Sequence, residues 1–324
     1  MKHNVKITLV LLSMFVLTQF IGLYVIDSNV FHRTIEVNGV EETVTNPILT
    51  AIEPPEIIQQ SDFTTYLGSI IFAFIIAIFI LFLLTKFKVD IILRIWFFIV
   101  VAIALFITFN AFFPRYINSI YFIVLAVIAS LAISFMKIFK RNFIIHNITE
   151  LLIYPGIATI FVPILNIWSV LVLLLIISAY DIWAVWHSGI MQKMAKYQIN
   201  KLKVFSGFFI PYISRKIRKQ LKKMKKAKLK KRKVRMSIAI LGGGDVIFPI
   251  ITAGVVMKAG AIMFPFSNVQ IFQGGLLPAI FVIAGATLGL GLLFVFSEKK
   301  RFYPAMPFIT AGMLLGMILS YLIL

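Results

Sequence analysis

The sequence predicts an all-α integral membrane protein with nine transmembrane helices, a cytoplasmic N-terminus and an extracellular C-terminus. Its 324 residues are 60% hydrophobic and 14% charged, and the mean hydropathy is +0.99. A soluble domain is about 45–50% apolar and about 25% charged. The apolar residues form long runs, and the basic residues collect between alternate runs. These observations indicate that lipid surrounds most of the chain, and they set the number and direction of the helices.

Eight apolar runs are long enough to cross a hydrocarbon core of about 30 Å, which requires about 20 helical residues. A ninth run is also apolar enough but contains Pro155, Gly156 and Pro163, so we predict a kinked span there, fifth in chain order. The first run is longer than the apolar core of a signal peptide, and we expect it to be retained. The predicted spans are approximately 5–26, 67–85, 91–109, 117–136, 148–166, 168–187, 238–257, 274–296 and 303–324.

The distribution of lysine and arginine predicts the orientation, because cytoplasmic loops carry an excess of both. With the N-terminus inside and nine spans, 29 of the 32 basic residues lie on the cytoplasmic side. Only Arg33, Arg115 and Lys258 lie outside. Without the fifth span, the loop 188–237 and its eighteen cations would lie outside. The charge distribution therefore favours nine spans as well as this orientation.

The chain is predicted to divide into an N-terminal part, 1–187, a basic cytoplasmic loop, 188–237, and a C-terminal part, 238–324. The outer loop 27–66 holds seven of the twelve acidic residues. We expect the basic loop to lie against anionic lipid headgroups at a cell membrane. Nucleic acid is not an expected partner, because the basic run lacks interleaved aromatic residues. The chain has no cysteine and only four histidines, so we expect neither a metal nor another cofactor.

Two acidic residues, Asp181 and Asp245, lie well inside predicted spans. Such residues are rare in a membrane and indicate a functional site. Asp181 precedes the inner end of the sixth span by six residues, and Asp245 follows the inner start of the seventh by seven, which is roughly 9–10 Å at 1.5 Å per residue. The two acids are therefore predicted to lie at the same depth on consecutive antiparallel helices.

Three interpretations of this pair remain open from chemistry alone: an aspartyl protease, a transporter, and a structural pair whose acids are each neutralised by a buried cation or each protonated and hydrogen-bonded in packing. No lysine or arginine is predicted in the middle of a span, which argues against the version with buried cations. Two neighbouring carboxyl groups without cations share one proton, which is the state that an aspartyl protease uses. A proton- or cation-coupled transporter would use the same pair beside a broken helix. The pair by itself does not separate protease from transporter.

Glycine and proline surround the two acids. Asp245 ends the run Gly242-Gly243-Gly244-Asp245, which permits close backbone approach or local unwinding. Pro249 removes the hydrogen bond to the carbonyl of Asp245. Asp181 follows Tyr180, whose hydroxyl is a local donor. The segment Pro304-Ala305-Met306-Pro307 opens the last span, where the prolines indicate either a first helical turn or an extended stretch.

Small residues also recur at a spacing of four in the last two spans. Gly285 and Gly289 lie in the eighth span, and Gly312 and Gly316 lie in the ninth. Such spacings allow helices to pack closely. We expect these glycines to serve packing within the chain. Contacts between copies in a homo-oligomer are the alternative.

Together these motifs resemble the presenilin and signal peptide peptidase family of intramembrane aspartyl proteases, most of all its archaeal presenilin homologues. The resemblance covers all nine spans. It rests on Tyr180-Asp181, on Gly242-Gly243-Gly244-Asp245 and on Pro304-Ala305-Met306-Pro307. Gly243 stands where presenilins usually have leucine, and Met306 replaces the leucine of their Pro-Ala-Leu-Pro motif.

The resemblance implies an aspartic endopeptidase that cleaves transmembrane segments of membrane proteins. Asp181 and Asp245 would be the catalytic residues that activate water. Tyr180, Gly242, Gly243, Gly244, Pro304, Ala305, Met306 and Pro307 would shape the site. The predicted orientation matches the presenilin branch, which acts on substrates whose N-terminus is outside. The amides of a substrate helix are shielded by its own hydrogen bonds. We therefore expect the substrate helix to unwind and to pair as a strand with backbone near Gly242 or Pro304.

Overall fold

The computed structural model describes residues 5–37, 40–87, 90–112, 120–140, 142–188, 206–212, 237–259, 261–263, 270–297 and 303–323. The predicted basic loop lies largely outside these residues. Within them the chain folds into one bundle of α-helices, whose main core is built by the first, fifth, sixth and last three helices. The core is made mostly of aliphatic side chains together with aromatic residues such as Phe15 and Tyr154, as is expected for helices that are apolar on all sides.

The described part of the chain contains nine α-helices. In the first six, the helix order follows the predicted spans, with ends that differ by up to seven residues. These helices are α1 (Val5–Asp27), α2 (Gln60–Phe87), α3 (Asp90–Phe112), α4 (Ile120–Phe139), α5 (Phe143–Phe161) and α6 (Ile167–Trp183). The last three are α7 (Gly243–Lys258), α8 (Leu276–Phe296) and α9 (Met306–Ile323). Short 3-10 turns at Thr50–Ile52 and Val162–Ile164 and a π-helical turn at Ala184–Ser188 complete the helical elements.

Within the described ranges, three antiparallel β-hairpins accompany the helices, and the sequence did not predict them. One lies between α1 and α2, and another lies between α7 and α8. The third leads directly into α7 and the Gly242–Asp245 motif. Their strands are β1 (His32–Val37), β2 (Val40–Thr45), β3 (Gly207–Tyr212), β4 (Ser237–Gly242), β5 (Ala261–Met263) and β6 (Gln270–Gln273).

The prediction that the seventh span is a helix from residue 238 is wrong. Residues Ser237–Gly242 form a strand, and α7 begins only at Gly243. Its 16 residues span about 24 Å at 1.5 Å per residue, which is less than the hydrocarbon thickness. Eight helices of the described chain are long and apolar enough to cross a membrane. The nine-span topology and its orientation therefore stay predictions.

A buried ion pair joins α4 to α5, and the sequence analysis did not predict it. The ammonium group of Lys137 binds the carboxylate of Glu150, with side-chain exposures of 4% and 1%. His146 lies one turn before Glu150, and its Nε2 is 3.5 Å from the same carboxylate oxygen. The sequence placed Lys137 and Glu150 near the inner ends of their helices, and packing of α4 against α5 buries both. Glu150 is thus buried as Asp181 is, but it is paired with a cation.

Glycines bring α8 and α9 into backbone contact. A Cβ at Gly285 would lie 2.0 Å from the carbonyl oxygen of Gly312, and a Cβ at Gly289 would lie 2.2 Å from that of Phe308. A Cβ at Gly316 would lie 2.3 Å from the carbonyl oxygen of Phe281. These contacts are within the chain, as the spacing predicted. They fix the height of α9, and with it the position of Pro304–Pro307.

Gly289→Ala is expected to lower the thermal unfolding temperature of the purified protein, because the added methyl group meets rigid backbone. Gly291→Ala is the matched control, since nothing lies within 4 Å of a Cβ there and alanine favours a helix by about 1 kcal/mol over glycine. Equal unfolding temperatures for the two variants would contradict the proposed packing.

Candidate active site

Asp181 lies near the end of α6 and is 7% exposed. Its carboxylate accepts the backbone N–H of Met306 at 3.0 Å and also that of Ala305. Met306 is the first residue of α9, so the carboxylate sits at a helix N-terminus. The unpaired N–H groups and the partial positive charge of a helix N-terminus favour an anion there.

The proline motif explains why α9 begins at this point. Pro304 and Ala305 are buried and non-helical, whereas Met306 and Pro307 lie in the first turn. Pro307 has no N–H, and the first turn of a helix is where that loss is least costly. The carbonyl of Ala305 accepts the first helical bond, from Ile309 at 3.1 Å. The motif therefore combines the two predicted conformations: an extended entry at Pro304 and a helical turn at Pro307.

Asp245 is the third residue of α7 and is half-buried. Its carboxylate accepts the backbone N–H of Gly242, the residue that precedes the first turn in an extended conformation. An acidic side chain at this third position that binds back to the N-cap N–H is half of a capping box. Asp245 was predicted in mid-helix, but it lies in the first turn because the preceding residues form β4.

The fold brings the two carboxyl groups together. Asp181 and Asp245 come from α6 and α7, which pack against each other, and their side chains are close enough to interact electrostatically. Each carboxylate is held by backbone N–H groups at a different helix N-terminus. The described residues contain no cluster of three or more acidic or histidine side chains with the geometry of a metal site.

The three glycines before Asp245 have different surroundings. A Cβ at Gly243 would lie 2.8 Å from the hydroxyl of Tyr154 and 2.8 Å from Oγ of Ser206. A Cβ at Gly242 would lie 3.1 Å from Oδ2 of Asp245, and one at Gly244 would make only an ordinary contact with Phe248. Gly243 is thus the position where the described structure leaves least room for a side chain.

Tyr180 faces the side of the bundle formed by α2. Its ring makes an edge-to-face contact with Phe74 of α2, with centroids 5.7 Å apart, and lies 6.3 Å from the ring of Trp183. The sequence predicted a hydroxyl donor next to Asp181. In the structure the aromatic contacts of Tyr180 join the end of α6 to α2, beside the site.

Several polar residues that the sequence analysis did not select hold the two aspartate-bearing helices. The amide of Gln19, fully buried in α1, donates to the carbonyl of Val246 at 3.1 Å. The hydroxyls of Ser178 and Thr310 are 2.9 Å apart and link α6 to α9. Ser178 and Thr310 lie within one turn of Asp181 and Pro307, and Gln19 binds the residue that follows Asp245. A polar residue in an apolar run was the available signal for all three.

The hairpin β3–β4 leads into the first turn of α7, which carries Asp245. Phe208 pairs with Leu241 and Phe209 with Ile240 in an antiparallel register. Both the N–H and the C=O of Phe209 bind the side-chain amide of Asn147 on α5, at 3.1 and 2.9 Å. Since both groups of a strand residue point to the same side, Phe209 faces α5 and its partner Ile240 points its N–H and C=O away from β3.

Comparison with known proteins gives a consistent result. The model of a family described as "Signal-peptide peptidase, presenilin aspartyl protease" matches residues 39–324. Two solved structures of a presenilin family intramembrane aspartate protease, in the C222 and P2 space groups, are similar in fold. The first has a TM-score of 0.58 at 17% identity and covers 98% of this chain and 99% of its own; the second has 0.55 at 15% and covers 97% of each. No curated protein matches the chain in sequence.

Gly243→Leu introduces the side chain that the resembling motif usually carries. We expect lower thermal stability and loss of most activity, because leucine collides with Tyr154 and Ser206. Adding Tyr154→Ala should restore part of both, since the ring occupies the space that leucine needs. The measurement is thermal unfolding together with peptide cleavage for the two single variants and the double variant. A double variant no better than Gly243→Leu alone would refute this steric explanation.

Proposed function

The chain belongs to the signal-peptide peptidase and presenilin aspartyl protease family, and we propose that Asp181 and Asp245 are its catalytic pair. As a member, it is an aspartic endopeptidase and a multi-pass integral membrane protein with a presenilin-like fold. The observation that carries the assignment is the pairing of two intramembrane carboxyl groups, each bound by N–H groups of a helix N-terminus.

The proposed mechanism uses one proton shared by the pair. Like charges at short range cannot both ionise in a site of low dielectric constant, so one group is an acid and the other a carboxylate. The carboxylate takes a proton from the attacking water while the acid protonates the carbonyl oxygen of the scissile bond. The proton taken from the water is then delivered to the leaving amine. Tyr180, Gly242–Gly244 and Pro304–Pro307 shape the site around this reaction.

The competing function, a proton- or cation-coupled transporter, receives no support from the comparisons. The matching family and both similar structures are proteases. The transporter would also give no reason for an extended proline segment whose N–H groups bind one of the acids. We therefore retain proteolysis as the single proposal.

We infer that the substrate is a transmembrane helix whose N-terminus lies outside, as the predicted orientation implies. The amides of a helix are occupied by its own hydrogen bonds, so the cleaved segment must unwind. An unwound segment inside the membrane needs new hydrogen-bond partners. The basic loop, which lies mostly outside the described residues, is proposed to bind anionic headgroups on the cytoplasmic side.

The outward edge of β4 is the proposed partner of the unwound substrate. In the described part of the chain, β4 pairs with β3 alone, and Ile240 directs its N–H and C=O to the opposite side. Ile240 is 39% exposed. β4 ends at Gly242, which bonds to Asp245. A substrate strand added to this edge would therefore extend toward the catalytic pair, in the manner of β-strand addition.

Asp181→Asn and Asp245→Asn should each reduce cleavage of a labelled single-span peptide by at least about 100-fold, the typical contribution of acid–base catalysis. The purified full-length protein is tested in liposomes, with product masses as the readout. Asp62→Asn is the control, because Asp62 is an acid at the start of α2 whose carboxylate accepts the backbone N–H groups of Ile58 and Gln59. Cleavage that persists in both variants would eliminate the pair.

Ile240→Pro removes one outward N–H from β4, and edge strands tolerate proline. We expect cleavage to fall by about two- to tenfold, because one hydrogen bond contributes roughly 0.5–1.5 kcal/mol. Ile240→Ala is the matched control: it removes the side chain and keeps the N–H. Equal cleavage rates in the two variants, at equal thermal stability, would refute strand addition at β4.

A further inference from the structure

The N-terminal half of α5 presents polar side chains to β3 that the proposed chemistry does not use. His146, Asn147 and Glu150 lie on or beside one face, and α5 packs against β3. Nε2 of His146 is 2.8 Å from the carbonyl oxygen of Gly207, and the His146 ring lies 4.5 Å from that of Phe209. His146 is buried and Asn147 is half-buried. This is an extensive set of side-chain bonds to a single strand.

The geometry of Asn147 is that of a missing strand. Its amide oxygen accepts from the N–H of Phe209 and its amide nitrogen donates to the C=O of the same residue. A neighbouring β-strand would make the same two bonds to such a residue. His146 occupies the next carbonyl on that side, at Gly207, because successive outward residues are two apart. The outward side of β3 is thus occupied by α5.

A two-stranded hairpin has two open edges, and each is a template for adding a strand. If both edges were available, an unwound substrate could add on either side or in shifted registers, because strand pairing by itself specifies register weakly. Only the β4 edge continues into Gly242 and Asp245. Addition at β3 would not deliver the scissile bond to the same place.

We propose that Asn147, supported by His146, is a positioning residue that closes the β3 edge and fixes the hairpin, so that substrate binds β4 in one register. This inference rests on the proposed function and adds the specificity element to it. The ion pair of Lys137 and Glu150 supports the arrangement, since Glu150 lies beside Nε2 of His146. The N–H at Nε2 then donates to Gly207.

The position of Gly207 is consistent with this role. It is the first residue of β3, with a φ of +142° that L side chains rarely adopt. Ser206, just before it, accepts the N–H of Gly243 through its carbonyl at 3.3 Å. The hydrogen bond between Ser206 and Gly243 therefore connects the bonds from α5 to β3 with the first turn of α7. A displacement of β3 would be transmitted to Gly243 and to the hydrogen bond between Gly242 and Asp245.

The test compares Asn147→Ala and Asn147→Ser with Asn142→Ala. Asn142 caps the start of the same helix through a bond to the N–H of Ile144 at 2.9 Å and is exposed. It therefore controls for the stability of α5. Purified full-length variants in liposomes are assayed for kcat and KM on a labelled single-span peptide, for product masses, and for hydrogen exchange of residues 207–212.

We expect both Asn147 variants to lower kcat by about tenfold, to change KM by less than threefold, and to cleave additional peptide bonds. Residues 207–212 should exchange faster than in Asn142→Ala. An unchanged set of products, or exchange equal to that of the control, would overturn the proposal. Exchange needs no activity, so it tests Asn147 even if the catalytic pair is misassigned. If cleavage persists in Asp181→Asn and Asp245→Asn, the catalytic pair is misassigned, but the hydrogen-exchange result for Asn147 still stands. If Asn147→Ala does not fold, Asn147→Ser is tested against the same criteria.

Discussion

Backbone groups at membrane depth must find hydrogen-bond partners within the protein, and the candidate site depends on this constraint. Two helices, α7 and α9, begin at the site, and each helix start leaves N–H groups without a helical partner. Asp181 takes those of α9 and Asp245 takes that of Gly242. The same bonds that satisfy the helix ends also hold the carboxyl groups in place. The same hydrogen bonds therefore allow α7 and α9 to begin at the site and fix the positions of the two acids.

Prolines in the middle of helices are treated in the same way. Pro155 and Pro249 each remove an N–H from a helix and disturb the carbonyls of the preceding turn. In both cases a side chain from another helix donates to the carbonyl three residues earlier. Thr108 of α3 binds Leu152 at 2.7 Å, and Gln19 of α1 binds Val246 at 3.1 Å. Each proline is thus also a point where a neighbouring helix is fixed, and the second fixes α7 one residue after Asp245.

The sequence was sufficient for the features that depend on composition and local chemistry. Apolar length predicted the helices, and two isolated acids with glycine and proline neighbours predicted the site. It was insufficient where pairing decides the structure. Residues 238–241 are apolar and fit a helix or a strand equally well, and 24 residues separate β3 from β4, the strand that contains them. Burial of Lys137 with Glu150 also depends on how α4 packs, which no local pattern reports. These are tertiary choices, whereas the motifs are local.

α5 contacts both β3, which pairs with the strand leading into the site, and the first turn of α7, which carries Asp245. Asn147 and His146 hold β3, and two turns later the hydroxyl of Tyr154 lies where a side chain at Gly243 would begin. A residue larger than glycine at 243 therefore requires a smaller one at 154, or a shift of α5. Such a shift would also move the bonds to β3. Because one rigid helix joins the two contacts, the variable position of the glycine motif and the geometry of the proposed substrate edge cannot change independently. In this chain, the glycine at 243 is the solution that leaves both undisturbed.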